Sequence, residues 1–245
     1  MTQTSKAKPQ QQRLRTRDFL APVIGGFVLL VLLQAFVGRM YVIPSASMEP
    51  TLHGCTGCDN DRIAVQKMSY YFHDPDPGDV VVFEGPESWN TEFEVQRSEN
   101  VLVRGAQNAL ASVGLLPNGE NILVKRVIAT EGQTVKCEEG DSAVMVDGEP
   151  IDQSFTLDPP EIPVDPGSGS QACGGEYFGP VTVPEGNMWV MGDNRTNSLD
   201  SRAHIGDHLQ GTVPVDNVRG KVEAVVLPVS RFGGIDDPDI QDAAA

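Results

Sequence analysis

Ile122-Leu-Val-Lys-Arg-Val-Ile-Ala129 decides how this chain folds. Its apolar, largely β-branched run reads as a strand. In a strand, Leu123, Lys125, Val127 and Ala129 share one face, while Ile122, Val124, Arg126 and Ile128 line the other. Lys125 therefore sits among apolar neighbours, where lost hydration lowers an amine's pKa and favours the neutral base. Outward from this run, similar segments recur between turn signals: Arg62–Val65, Asp79–Phe83, Ala143–Val146, Met188–Met191 and Lys221–Leu227. Pro75-Asp-Pro-Gly78 is a turn ahead of one of them, and Asp147-Gly148 is a two-residue hairpin signal. With 25 Gly and 18 Pro in 245 residues, the chain favours short strands and many turns, a mainly β fold. The exception is Asn100–Leu116, where Val103, Ala106, Leu110 and Val113 have helical spacing. Leu157–Gly175, rich in Pro and Gly, reads as an exposed loop, and the acidic end (234–245) as a disordered tail.

Charge is distributed unevenly. The net charge is −16, which argues against nucleic acid as a partner, because phosphate binding needs clustered Lys and Arg. Residues 1–18 nevertheless carry five bases (Lys6, Lys8, Arg13, Arg15 and Arg17) against one acid, Asp18. Residues 19–38 follow, FLAPVIGGFVLLVLLQAFVG, without a charge. Twenty residues at about 1.5 Å each cross a bilayer core of about 30 Å. The run is longer than the apolar core of a cleavable signal peptide, so it reads as one uncleaved transmembrane helix. The bases before it place a basic tail (1–18) in the cytoplasm and the chain from 39 onward outside, on a single-pass plasma-membrane protein.

Outside the membrane, disulfides are permitted, and Cys55, Cys58, Cys137 and Cys173 allow three pairings. Structural disulfides are favoured over a redox centre, because Cys55-Thr-Gly-Cys58 does not open an evident helix. They are favoured over zinc because Cys137 and Cys173 form no second C-x-x-C. Other metal readings fail too. Arg195 stands where a calcium loop needs a ligand, and Gly206 weakens the helix that would pair His204 with His208.

Three stretches carry chemistry. Ile43-Pro-Ser-Ala-Ser-Met-Glu-Pro-Thr-Leu52 holds two serines in a Pro-stiffened bend. The strand around Lys125 offers a desolvated amine, and a neutral lysine can take a proton from a serine hydroxyl. Gly192-Asp-Asn-Arg-Thr-Asn-Ser-Leu-Asp-Ser-Arg202 is dense in groups that anchor a site through Asp–Arg pairs.

Together PSASMEPTL (44–52), DRIAV (61–65) with GDVVVF (78–83), LVKRVIATEGQTV (123–135) and GDNRTNSLDSR (192–202) resemble the bacterial type I signal peptidases, with HGCTGC (53–58) closest to an actinobacterial branch. The resemblance implies an all-β catalytic domain with a smaller β extension, here about 137–186 within 39–233, after one transmembrane helix. It implies a Ser/Lys endopeptidase, without cofactor or metal, that removes signal peptides after a small-x-small segment at the bilayer. Ser47 is then the nucleophile and Lys125 the general base. Ser45 serves the oxyanion, and Ser198 hydrogen-bonds and orients Lys125. Arg126, Asp193, Asn197, Asp200 and Arg202 brace the site, while Ile43, Met48, Val124 and Met191 match positions near the substrate pockets or the buried lysine. Two other classes compete. A self-cleaving Ser/Lys repressor lacks the anchor, and a non-enzymatic anchored scaffold would leave the dyad inert to serine-acylating inhibitors.

Overall fold

The computed structural model describes residues 38–89 and 121–241, together with 20, 22–23, 25–26, 100–101 and 103–105. Its strands are β1 (Gly38–Val42), β2 (Arg62–Gln66), β3 (Val80–Glu84), β4 (Ile122–Thr130), β5 (Thr134–Cys137), β6 (Met145–Val146) and β7 (Glu149–Pro150). Then come β8 (Gly169–Ser170), β9 (Gly175–Glu176), β10 (Phe178–Thr182), β11 (Asn187–Met191), β12 (Val213–Pro214), β13 (Val218–Leu227) and β14 (Gly233–Gly234). The large sheet runs β1-β2-β13-β3-β4-β11-β12, with β14 against β13; a smaller one runs β10-β5-β6-β7, and β8 pairs β9. Neighbours in all three sheets are antiparallel.

β3 shows why the large sheet lies inside the protein. Its Val80-Val-Val-Phe83 run is buried on both faces, as a strand covered on both sides must be. Val80 and Val82 point into a cluster with Met48, Leu52, Ile63 and Val222. Val81 and Phe83 point into another, with Trp89, Val127, Met188 and Val190. A third cluster joins Ile128, Ala129, Trp189 and Met191 of the large sheet to Val135, Val146, Phe178 and Val181 of the small one. The extension anticipated at 137–186 is therefore built on Thr134–Thr182 and shares its core with the main sheet, with Phe178 stacked on Trp189 at 5.7 Å.

Strict alternation along β4 fails at its end. Trp189 pairs with Ala129 but Val190 with Val127, so Ile128 is an extra residue in β4. Ile128 and Ala129 both enter the third cluster, and Ala129 leaves the face of Leu123 and Val127. The Asp147-Gly148 hairpin is present, with both residues at positive φ (52° and 90°) between β6 and β7. Val101 and Val103–Gly105 are helical; the rest of the helix anticipated over 100–116 lies outside the described residues. Most of 19–38 also lies outside them, although Leu20, Pro22, Val23, Gly25 and Gly26 are helical. No helix among the described residues is long and apolar enough to cross a membrane. Gly38, assigned by sequence to the span, is already in β1 and pairs with Gln66.

The cysteines pair as Cys55–Cys58 and Cys137–Cys173. The tail is a correction. Rather than lying disordered from residue 234, it is docked as far as Gln241. β14 pairs β13, Ile240 is fully buried, its carbonyl accepts from Asp152 N at 2.8 Å, and Gln241 Nε2 donates to Ile128 O at 2.9 Å. One buried isoleucine, one backbone bond and one side-chain bond outweigh the acidity that made the segment read as solvated. Ile240→Ala should accordingly lower stability by about 2–4 kcal/mol in urea unfolding; a disordered tail would give no change.

Candidate active site

Ser47 lies in a 3-10 turn, Ala46–Met48, that follows β1 and the extended residue Ser45. Buried Met48 roots the turn in the core, and Leu52 N returns to Met48 O at 2.8 Å. Lys125 comes from the middle of β4, opposite Val81 of β3. The two meet across 78 residues of sequence, with Lys125 Nζ 2.7 Å from Ser47 Oγ. Ser47 is half-buried, whereas Lys125 is 3% exposed. Burial pushes the Lys125 amine down from 10.5 to about 8; Asp200 and Asp193 pull it up, and Arg202 adds to the fall.

The loop after β11 completes the site. Asp193 holds Arg126 through two bonds, to Nε at 3.0 Å and Nη2 at 2.8 Å, and accepts from Thr51 Oγ1 at 2.5 Å. Arg126 also donates to Gly78 O at 2.7 Å. Asp200 accepts from Gly192 N and from Arg202 Nε and Nη2, each at 2.9 Å. Burial works to raise the Asp200 carboxyl, but the Arg202 charge and these bonds outweigh it and hold it below the usual range. Arg202 ties the loop further, to Gly174 O at 2.9 Å and Arg195 O at 2.6 Å. Gly192 must be glycine, because a Cβ there would stand 2.4 Å from Ser47 O and 2.3 Å from Ser198 Oγ.

The orienting contact expected of Ser198 is absent from this arrangement. Ser198 Oγ is buried with no hydrogen-bond partner and does not bond Lys125, whose amine points to Ser47 instead. Ser45, exposed at the rim, places its hydroxyl 3.4 Å from Ser47 Oγ. Asn197 is exposed and donates to Glu161 rather than into the site. Ile43, Met48 and Met191 are core residues at 2%, 1% and 0% exposure, and Val124 is half-buried.

Several participants were not singled out by sequence. Asn194 N donates to Ser47 O at 3.2 Å and Asn194 Nδ2 to Ala46 O at 3.1 Å, which fastens the loop to the serine turn. Glu161 accepts from Asn194 at 2.5 Å and from Asn197 at 3.1 Å, while Leu157 N and Ile162 N bond Asp193 O and Thr196 Oγ1. The Pro/Gly-rich segment is thus exposed but strapped onto the site, and no local signal in it pointed there. Arg195 is buried and pushed down to about 9 by that burial and by Arg202. His204 stacks on Trp89 at 4.4 Å. A serine hydroxyl facing a desolvated amine, with nearby carboxylates committed to arginines, can pass its proton to that amine and attack a carbonyl.

A family model described as "Signal peptidase, peptidase S26" matches residues 16–227. Signal peptidase I of Mycobacterium tuberculosis (strain ATCC 25618 / H37Rv) is 51% identical over 235 residues, 94% of this chain and 78% of that protein. Probable signal peptidase I of Mycobacterium leprae (strain TN) is 51% identical over 219 residues, 84% of this chain and 74% of that protein. Probable signal peptidase I-1 of Synechocystis sp. (strain ATCC 27184 / PCC 6803 / Kazusa) is 35% identical over 206 residues, 84% and 80% of the two chains. A match spanning most of the chain, at such identity, means that it belongs to the signal peptidase family, peptidase S26, and is a serine peptidase.

Proposed function

We propose that this peptidase removes signal peptides from exported preproteins by cutting after a small-x-small segment, with Ser47 as nucleophile and Lys125 as general base. The 2.7 Å contact between Lys125 Nζ and Ser47 Oγ carries this reading. Neutral Lys125 takes the Ser47 proton as Oγ attacks the scissile carbonyl. The oxyanion is met by the Ser47 backbone N–H and the Ser45 hydroxyl. Lys125 then protonates the leaving amine, and afterwards activates the water that releases the signal peptide from Ser47. Asp193 with Arg126, and Asp200 with Arg202, hold the loop that fixes Ser47. Ser198 lies beside Gly192, whose backbone packs against Ser47 O. Half-buried Val124, backed by the buried Ile43, Met48 and Met191, contributes to the apolar surface on which only small side chains at −1 and −3 fit.

The bilayer enters the same proposal. Residues 19–38 anchor the chain, with 1–18 in the cytoplasm and the peptidase domain, 39–233, outside the plasma membrane. Exposed Met40 and Val42 on β1, and exposed Val229 and Phe232 after β13, support a lipid-facing edge directly after the anchor. The scissile bond of a membrane-embedded preprotein and Ser47 would then meet at one interface, where anchoring raises the local concentration of both.

Purified full-length protein incubated with a preprotein should yield a new N-terminus directly after the small-x-small segment. Ser47→Ala and Lys125→Ala should each lower turnover by about 10⁴-fold or more while leaving thermal unfolding cooperative. Near-normal turnover in Lys125→Ala would sink the base assignment.

Because the buried amine titrates near 8 and acts when neutral, kcat/KM should climb as pH rises through about 8 and level off above it. A rise only near about 10.4 would mean a solvated lysine. Deleting residues 1–37, so that β1 is kept whole, should leave cleavage of short peptides unchanged but slow cleavage of vesicle-embedded preprotein at least tenfold. Equal rates on the embedded substrate would sink the anchoring argument alone.

A further inference from the structure

His53, Cys55 and Cys58 lie together in the turn that follows the serine motif, and their ligand atoms all fall within 4.8 Å of one another. We propose that these three residues form a site for a zinc-class divalent ion, an alternative to the Cys55–Cys58 disulfide, with Glu49 orienting the imidazole.

The chemistry suits such an ion. Two thiolates and an imidazole are the donors that tetrahedral zinc prefers, and C-x-x-C is a common spacing for half of such a site. The missing second C-x-x-C is replaced by His53 from the same turn. Glu49 Oε1 contacts His53 Nδ1, which fixes the proton there and leaves Nε2 as the metal-binding nitrogen. A water fills the fourth position. Tetrahedral bonds of about 2.0–2.3 Å separate donor atoms by about 3.5 Å, so side-chain rotation closes the remaining gap.

The turn is shaped without help from the sulfurs. His53 N donates to Asp61 Oδ2 at 2.7 Å, Asp61 N returns to His53 O at 2.9 Å, and Cys55 N donates to Asn60 Oδ1 at 2.9 Å. Arg231 Nε holds Asp61 at 2.9 Å, and Gly54 packs so closely on Ile43 O and Ser45 O that no Cβ fits. The donors therefore stay gathered when the sulfur–sulfur bond is broken. His53 and Glu49 side chains are 39% and 21% exposed, which gives an ion a way in from solvent.

Metal and disulfide compete for the same two sulfurs. A dithiol supplies two electrons that break the Cys55–Cys58 bond and two protons that leave on the thiols, and it closes to its own disulfide. The divalent ion then displaces those two protons as it binds.

The test is a Co²⁺ titration of full-length protein in detergent, reduced under argon with a non-ligating phosphine. One ion per chain should bind with a thiolate-to-cobalt charge-transfer band and the visible bands of tetrahedral cobalt, and Zn²⁺ should displace it. Cys55→Ser should abolish the band, and His53→Ala, which keeps both cysteines, should weaken binding at least tenfold. Glu49→Gln should weaken it about tenfold. Retained peptide cleavage shows that each variant is folded. The proposal is overturned if reduced wild type gives no charge-transfer band. It is equally overturned if Cys55→Ser and His53→Ala bind like wild type, which would place the ion on Cys137 and Cys173.

Discussion

Keeping the Lys125 amine out of water is the constraint on which the rest of the site depends. A fall from 10.5 to about 8 corresponds to about 3 kcal/mol against the charged form. The strand must therefore be held by the packing around it, and β4 sits between β3 and β11 in the middle of the large sheet. The two buried carboxylates nearby would recharge the lysine if either were free to pair with it. Neither is, since Asp193 is gripped by Arg126 and Asp200 by Arg202. The arginines thus do more than brace the loop, because by engaging the acids they leave the amine able to titrate near neutrality.

The second requirement is that three distant segments stay in register to within a fraction of an ångström. Ser47 rides on a turn anchored by Met48, Lys125 on a central strand, and the closing loop on the end of β11. Gly192 permits the closest approach, with its backbone against Ser47 O, and Asn194 stitches the loop to the serine turn. Glu161 and its neighbours strap the loop from outside. The extra residue in β4 lets one strand serve two cores, so that the small sheet packs on the same apolar body as the strand that carries Lys125. The site inherits the rigidity of both sheets.

The environments of the candidate residues were legible in the sequence to the extent that local pattern reports burial. Alternating and continuous apolar runs located the strands later seen as β2, β3, β4, β11 and β13, because burial of one or both faces shows in composition. A lysine inside such a run announced its own desolvation. The uncharged stretch at 19–38 and the bases before it can be read only there, since hydropathy over about 20 residues is a property of the chain itself.

What the tertiary structure decided is whatever depends on a partner remote in sequence. The pairing of Cys137 with Cys173, the burial of Ile240 in an acidic tail, and the docking of Glu161 on Asn194 carry no local signature, because their energies come from surfaces contributed by other segments. Ser198 shows the same limit from the other side. Its place in the motif suggested a bond to Lys125, but its hydroxyl is buried without a partner, and the packing of β4 against the serine turn brings the amine to Ser47. Sequence by itself determined which residues could do the chemistry and which stretches would be strands. The fold decided which of those residues touch, because contact depends on chain geometry across tens of residues and not on the identity of any one of them.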